Sequence, residues 1–480
     1  MTIKRMILVV VTALAIATIG FDLWESWGQP QVQSRLELYQ TNLVLQATEW
    51  NGNDPNSRLA RKALTGNQPA EAAIEAYQEL RQSAQKSLKQ LKALSNSPAA
   101  KSESPKASVL KLERLIAELD LRLGILHIEQ KKISQAQATW TDLVQQSSSK
   151  PALDPINKTT GVLSGLWSNP PQIYPNAEPQ IKQNLDGWFR YRALSQLYQL
   201  QQRQDALSVL QTEEQQAAEQ AFNSLAVVGG IPVLACLVGG GILLFLGGQW
   251  LIQRKQALLS AASMAAWSTP WDGEIIWQVM ILGFFLVGQV VGKLLVPFAV
   301  VVVQSVLSPG AIALSDRAAA AYSLLQYLLM AAGGLGVLYL ILKPFLPLPE
   351  GWFRVKLNGN WLWWGLGGYF TAQPLVILVA FLNQKIWQGQ GGSNPILPIV
   401  LESKDTIALI LFFITAAIAA PIFEEILFRG FLLPSLTRYF PVWGAIALSS
   451  LIFAIAHLSL SEVLPLTTLG FVLGFVYARR

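Results

Sequence analysis

Glu424 and Glu425 stand side by side in an apolar run, TIALILFFITAAIAAPIFEEILFRGFLLPSL, from Thr406 to Leu436, whose one other ionisable residue is Arg429. An ionisable group at the centre of a bilayer costs roughly 2.5–3.5 kcal/mol on insertion scales, so such groups are rare there and commonly functional. The next apolar stretch carries His457, one of 2 histidines in the chain. A carboxylate and a neutral imidazole can hold one water between them and deprotonate it for attack on an amide. The same two groups can ligate a metal ion. Both chemistries remain open from the residues themselves.

On a helix, Glu425 and Arg429 are spaced i, i+4 with the acid first, the favourable order for an ion pair. That pairing keeps one carboxylate charged and satisfies the arginine. Glu424 lies about 100° further round the helix and has no partner on its own element. It is the candidate general base. Phe453 sits one turn before His457, and Phe453 and Phe428 are the candidate walls of the pocket. Pro421 precedes the glutamates and has no N–H to donate, so a kink is expected there, with the Ala417 carbonyl freed and a hydrated pocket opened. Taken singly, Glu425–Arg429 reads as an ion pair at the end of a span, and His457 as an interfacial residue. Their occurrence on consecutive apolar helices favours a shared site. Other polar or small residues read more plainly: Lys293 as a snorkelling lysine, His127 as a packed residue on a periodic helix face, and the glycines at 229–230, 239–241 and 333–336 as helix-packing positions.

The elements that must hold these groups are helices in a membrane. Of the 480 residues, 52% are hydrophobic and 14% charged, and there are 16 tryptophans, the composition of a multi-span membrane protein. Apolar spans are expected near 225–247, 275–296, 318–342, 362–382, 406–436, 442–458 and 464–478. A first lies between Met6 and Ile19 behind Lys4 and Arg5, read as an uncleaved anchor. That makes about eight spans in an all-α, polytopic protein. Its segments are an anchor (1–27), an extramembrane helical domain (28–221), spans two to four (222–350) and a C-terminal core (351–480). Tryptophans gather at span ends as interfacial belts. The net charge of +6 follows from basic loops on one side and does not call for nucleic acid. Lys4 and Arg5, Arg254 and Lys255, Lys343 with Arg354 and Lys356, Arg438, and Arg479 with Arg480 all fall on one side of a single alternating topology. That side is expected to be cytoplasmic, with the N-terminus and the site entrance facing it. Cys236 is the single cysteine, which excludes an internal disulfide framework and a Cys-rich zinc site.

The domain at 28–221 has helical periodicity. Leu123-Gly124, His127, Ala136, Trp140 and Leu143 follow the large/small spacing of a tetratricopeptide hairpin, with a weaker echo at Leu194, Leu197, Ala206 and Leu210. A plain helical bundle is the simpler expectation. Ser95–Ser108 reads as a Ser/Pro linker, the stretch from Pro151 to Pro175 as a Pro-rich loop, and Asn383–Asp405, containing GQGGSNP, as a turn-rich loop.

Glu424-Glu425-x-x-x-Arg429 followed by Phe453-x-x-x-His457, with PIFEEILFRGFLLPSL around the first motif and Gly470-x-x-x-Gly474 after the second, resembles the CPBP family, the CAAX-protease and bacteriocin-processing (Abi) group of intramembrane endopeptidases. The resemblance covers roughly 360–480. The anchor and GGSNPILPI in the turn-rich loop resemble the cyanobacterial and chloroplast branch. The resemblance implies a helical membrane protease in the plasma or thylakoid membrane. Glu424 would act as general base, His457 would assist with the water, and Glu425 and Arg429 would orient and stabilise the site. No cofactor is required by the sequence; a divalent ion such as zinc, held by Glu424 and His457, is the metal-dependent alternative. Substrates would be membrane-associated, prenylated or leader-type peptides. The family continues into a further helix with a second histidine and, four residues on, an asparagine. The sequence ends at Arg480, so a truncated or weakly active chain is expected; loss of one oxyanion donor costs ~10²–10³ in rate. Two competing readings differ in class. One is a non-catalytic scaffold or immunity-type protein whose 28–221 domain binds a protein partner. The other is a transporter with a buried carboxylate relay, which the lack of repeated spans disfavours.

Overall fold

A computed structural model of the protein describes residues 2–27, 33–52, 55–95, 104–260, 266–298, 315–353, 359–387, 390–392, 396, 397, 400, 403 and 405–479. The side chain of Lys293, together with Arg354, Lys356, Arg480 and residues 393–395 of the turn-rich loop, lies outside the described residues. The described elements are all helices. They form two units, one of Met1–Gln29 with Leu234–Arg480 and one of Pro30–Val233.

The unit Pro30–Val233 is an array of helices, most of which bury an apolar stripe in a shared core. Tyr77, Leu119, Leu121, Ile125, Trp140, Leu163, Phe189 and Leu197 form its centre. The large/small pattern read from the sequence has a steric basis. The indole of Trp140 fills the space beside Gly124, where an added Cβ would stand 2.0 Å from Nε1. That N–H donates to the Leu121 carbonyl at 3.1 Å, so the buried tryptophan keeps its polar end satisfied. Two loop expectations are corrected. Pro151 opens a 3₁₀ turn and Pro155 lies in the first turn of the helix Asp154–Leu166, where a missing N–H costs nothing. The residues 104–108 of the expected linker begin the helix Ser104–Glu129.

The other unit is a polytopic helical membrane bundle. Among the described residues, six helices are long and apolar enough to cross a bilayer: Ile3–Trp27, Gln204–Gln256, Asp316–Phe345, Trp361–Trp387, Thr406–Leu436 and Leu460–Arg479. Gly273–Leu286 and Val442–Ile455 are shorter apolar helices. Helical turns continue the first of these to Leu295. The second ends at 14 residues, about 21 Å, short of the ~30 Å hydrocarbon core. The expected seventh span is therefore a partial crossing, with His457 in the turn that ends it.

Basic residues gather at one end of this unit. Lys4 and Arg5 meet Glu274 at 3.7 and 2.8 Å, next to Thr269 and Trp271, whose carbonyls accept from Arg438 at 3.0 and 2.6 Å. The glycine expectation holds in part. A Cβ at Gly239 would reach the Phe370 carbonyl at 1.9 Å, and Gly333 and Gly334 meet Val287 and Phe423. Gly229, Gly230, Gly240, Gly241 and Gly336 face open space, because a glycine run presents successive positions to different sides of a helix.

Candidate active site

Three helices meet around Glu424: its own, Thr406–Leu436; the tyrosine helix, Asp316–Leu342; and the partial crossing, Val442–Ile455. Phe423 and Phe428 flank the glutamates and are buried. Phe284 stacks on Phe423 at 6.2 Å and meets Phe428 edge-on at 5.4 Å. Phe428 in turn packs edge-on to Phe453 at 5.3 Å. These rings close a hydrophobic wall and leave the carboxylates as the polar contents of the site.

The backbone here is wound loosely. π-helical turns occupy Thr415–Ala419 and Glu425–Leu432. The first of them leads into Pro421, the position of the expected kink: the Ala420 N–H reaches back to the Thr415 carbonyl, so the turn before the proline is widened. π turns of this kind recur at functional sites. In the second, the Phe428 carbonyl accepts from Leu433 N–H and from the Ser449 hydroxyl at 3.1 Å, a polar tie between the glutamate and histidine helices. Gly470 and Gly474 bring the last helix against that histidine helix, at Ser450 and Ile446.

The two glutamates have different surroundings. Glu425 pairs with Arg429 at 3.1 Å, and its side chain is partly exposed. Arg429 is 2% exposed. Its guanidinium lies over the Phe453 ring at 4.3 Å, a cation–π contact strengthened by desolvation. Its two terminal nitrogens are buried and make no hydrogen bond among the described residues. Glu424 accepts from the Tyr327 hydroxyl at 3.2 Å, and Arg429 and His457 are within electrostatic reach of it. The imidazole of His457 is edge-on to Phe453 at 4.9 Å. Its Nδ1 lies 2.9 Å from the Phe453 carbonyl. A carbonyl only accepts, so Nδ1 carries a hydrogen, and in the neutral ring Nε2 then keeps its lone pair.

Depth along the helices agrees with this. Glu424 lies about 12 residues from Leu436, and His457 about 15 residues from Val442, both counted from the short connection between the two helices. The short helix thus stops where the carboxylate is. Every residue singled out by sequence in this region, Glu424, Glu425, Arg429, His457, Phe428 and Phe453, is in one neighbourhood.

Tyr327 was not singled out. It stands on a different helix, 97 positions away in sequence. The available signal was a hydroxyl in mid-span, away from the interfacial belts where tyrosine is ordinary. Tyr477, on the last helix, is a second omission: it is within electrostatic reach of Glu425 and stacks on Trp267 at 5.9 Å.

A catalytic zinc usually takes three protein ligands. No group of three or more His, Cys, Asp or Glu side chains converges among the described residues. Glu424 and His457 offer two donors, which does not fit such a site, and no step below is routed through a metal.

Residues 406–480 match the family model described as Rce1-like, type II CAAX prenyl endopeptidase. A curated relative from Bacillus subtilis, named "Putative membrane peptidase YdiL", is 32% identical over 116 residues, which is 24% of this chain and 46% of the relative. The chain thus spans about half the length of that relative. No solved structure matches the chain.

Proposed function

We propose that this protein, whose residues 406–480 are of the Rce1-like, CAAX-endopeptidase type, is an intramembrane endopeptidase that cleaves peptide bonds with a water activated by Glu424 and His457. One observation carries the reading. Among the described residues Glu424 has one phenolic donor and no cation within ion-pair distance, and the histidine is within electrostatic reach of it. It therefore keeps lone pairs available for a proton.

The water donates one hydrogen bond to Glu424 and the other to Nε2 of His457. Glu424 takes a proton as the water oxygen attacks the scissile carbonyl. The carbonyl π electrons move to oxygen, giving a tetrahedral oxyanion. Collapse of that adduct breaks the C–N bond, and Glu424 returns the proton to the departing amine. The products are a new carboxyl and a new amine. Arg429 supplies positive charge beside both carboxylates and fixes Glu425 so that it does not compete for the water. Phe428 and Phe453 exclude bulk water, which strengthens each of these electrostatic contacts. Substrates are membrane-associated peptides, prenylated or leader-type, entering from the basic end of the bundle.

The test is cleavage of a prenylated peptide panel by membranes carrying the wild type or Glu424→Gln. Loss of hydrolysis with unchanged expression and thermal unfolding is expected. Hydrolysis at the wild-type rate would end the assignment.

A second reading rests on the helical domain. A cleft of about 550 Å³ there is lined by Gln46, Arg190, Tyr191, Tyr198 and Glu214 among others, in the size range of ligand sites. It supports a protein-binding role for this domain beside, or instead of, proteolysis. A pull-down that recovers the same partners with the full chain and with a variant whose cleft is filled (Leu194→Trp) would remove that reading.

A further inference from the structure

The turn after the helix Gln204–Gln253 carries two cations that nothing in the proteolytic site uses. Arg254 and Lys255 are exposed, and no carboxylate pairs with either among the described residues. They open onto a cleft of about 540 Å³ lined also by Trp250, Leu251, Ser260 and Trp443. Lys4 and Arg5, by contrast, are occupied by Glu274, and Arg438 by the carbonyls of Thr269 and Trp271.

The cleft has a built frame. Arg479 donates to the carbonyls of Ala257 (3.3 Å), Leu258 and Ser260 (3.1 Å), pinning the turn to the last helix. The Leu258 N–H reaches Gln249 Oε1 at 3.1 Å. Arg254 is held at φ +45°, a left-handed conformation that L side chains avoid and that persists only where surrounding contacts enforce it. Trp443 on the opposite wall is fixed by stacking on Phe471 and Phe475 at 5.4 and 5.6 Å. Next to the two cations, Trp250, Leu251 and Ile252 are 52, 69 and 85% exposed. An apolar face running directly into unpaired cations matches one ligand at both ends: acyl chains along the helix and a phosphate at its terminus.

We propose that this cleft binds the headgroup phosphate of an anionic phospholipid, with Arg254 and Lys255 as the phosphate ligands and the two tryptophans at the glycerol level. A free phosphate would satisfy the cations and leave the exposed apolar residues uncovered, so the commitment is to the lipid.

The test uses the full chain purified in detergent, with bound lipids counted by native mass spectrometry during titration with phosphatidylglycerol or phosphatidylcholine. Arg254→Gln combined with Lys255→Gln should weaken phosphatidylglycerol binding about 30-fold, from about one cation's worth of lipid attraction per residue, and leave phosphatidylcholine binding unchanged. Arg254→Lys with Lys255→Arg keeps the charge and should retain most of the affinity, which separates loss of ligand from loss of fold. A control pair at the same end, Lys4→Gln with Lys343→Gln, should change little. If the control pair loses as much, a diffuse surface potential accounts for the binding and the site is refuted. Displacement of phosphatidylglycerol by equimolar inorganic phosphate would refute the lipid as occupant.

Discussion

Glu178 in the helical domain and Glu424 in the membrane unit are both glutamates in contact with a tyrosine, and they are treated in opposite ways. Glu178 accepts from Lys182 at 2.7 Å, from Tyr198 at 2.9 Å and from Arg203 at 2.9 Å. Both its oxygens are filled, and the carboxylate is locked as an anion. Among the described residues Glu424 accepts from Tyr327 alone, and Arg429, one turn on, is paired with its neighbour Glu425. A carboxylate whose lone pairs are saturated holds helices together. One left half-satisfied in an apolar wall costs stability and persists where it is used. The contrast also separates the two glutamates of the pair: Glu425 resembles Glu178 in having a cation of its own, and Glu424 does not.

Breaking the comparison at its working end should give the largest effect. Glu424→Gln removes the base and keeps the shape, so kcat should fall by about 10²–10⁴, the range general-base removal gives, with the unfolding temperature unchanged. The same change at Glu178 should leave peptide cleavage untouched. A comparable loss from Glu178→Gln would mean that the difference in donors has no bearing on catalysis.

The arginines sharpen the same contrast in stability. Arg429 is buried while Glu425 is partly exposed; removing the arginine strands Glu425 beside Glu424 and empties the contact with Phe453, a cost approaching the ~3–5 kcal/mol of a fully buried pair. Arg429→Leu should therefore abolish or severely reduce accumulation of folded protein in the membrane. Arg203 is solvated, and Arg203→Gln should cost far less, as loss of an exposed ion pair does. Comparing protease resistance of the two variants in membranes measures the gap; equal resistance would contradict the burial argument.

Tyr327 tests whether the single donor matters. A hydrogen bond to a charged group is worth about 1.5–3 kcal/mol, so Tyr327→Phe should lower kcat by about tenfold to a hundredfold with little change in KM, because the phenol's contact is with Glu424. A rise in KM at constant kcat would instead make Tyr327 part of the peptide-binding surface.

Much of this site was legible because its chemistry and its spacing lie in adjacent apolar stretches. Glu424, Glu425 and Arg429 are on one helix, and Phe453 and His457 are one turn apart on the next. Charge is so rare in such stretches that each residue announces itself. Tyr327 was not legible, because a tyrosine in a hydrophobic span carries no charge and its partner is a whole topology away. The partial crossing at Val442–Ile455 was hidden for a related reason: the run to His457 carries no charge and no glycine or proline marks its end, so hydropathy reads it as a full span. The π turns were equally silent, since one extra residue per turn leaves no mark on composition. The helix over Asp154–Leu166 was misread as a loop because Pro151 and Pro155 were counted as breakers, although the start of a helix is where proline is tolerated.

The smallest effect belongs to the saturated carboxylate, and its direction is fixed by linkage. Hydrogen bonding from Lys182, aided by Arg203 and Tyr198 and opposed by partial burial, brings Glu178 from an ordinary 4.5 down to about 2 in the folded protein. Its contribution is therefore fully present above pH 4.5 and is lost as pH falls toward 2. Because the cluster is partly solvated, solvent screening reduces that contribution to about 1 kcal/mol. Thermal unfolding of the full chain, followed by the loss of helical circular dichroism, should show a midpoint that drops between pH 4.5 and pH 2. In Glu178→Gln the starting midpoint should be lower and this component of the drop should vanish. An undiminished drop in the variant would place the acid sensitivity elsewhere, and Glu178 would then be no better held than an exposed surface acid.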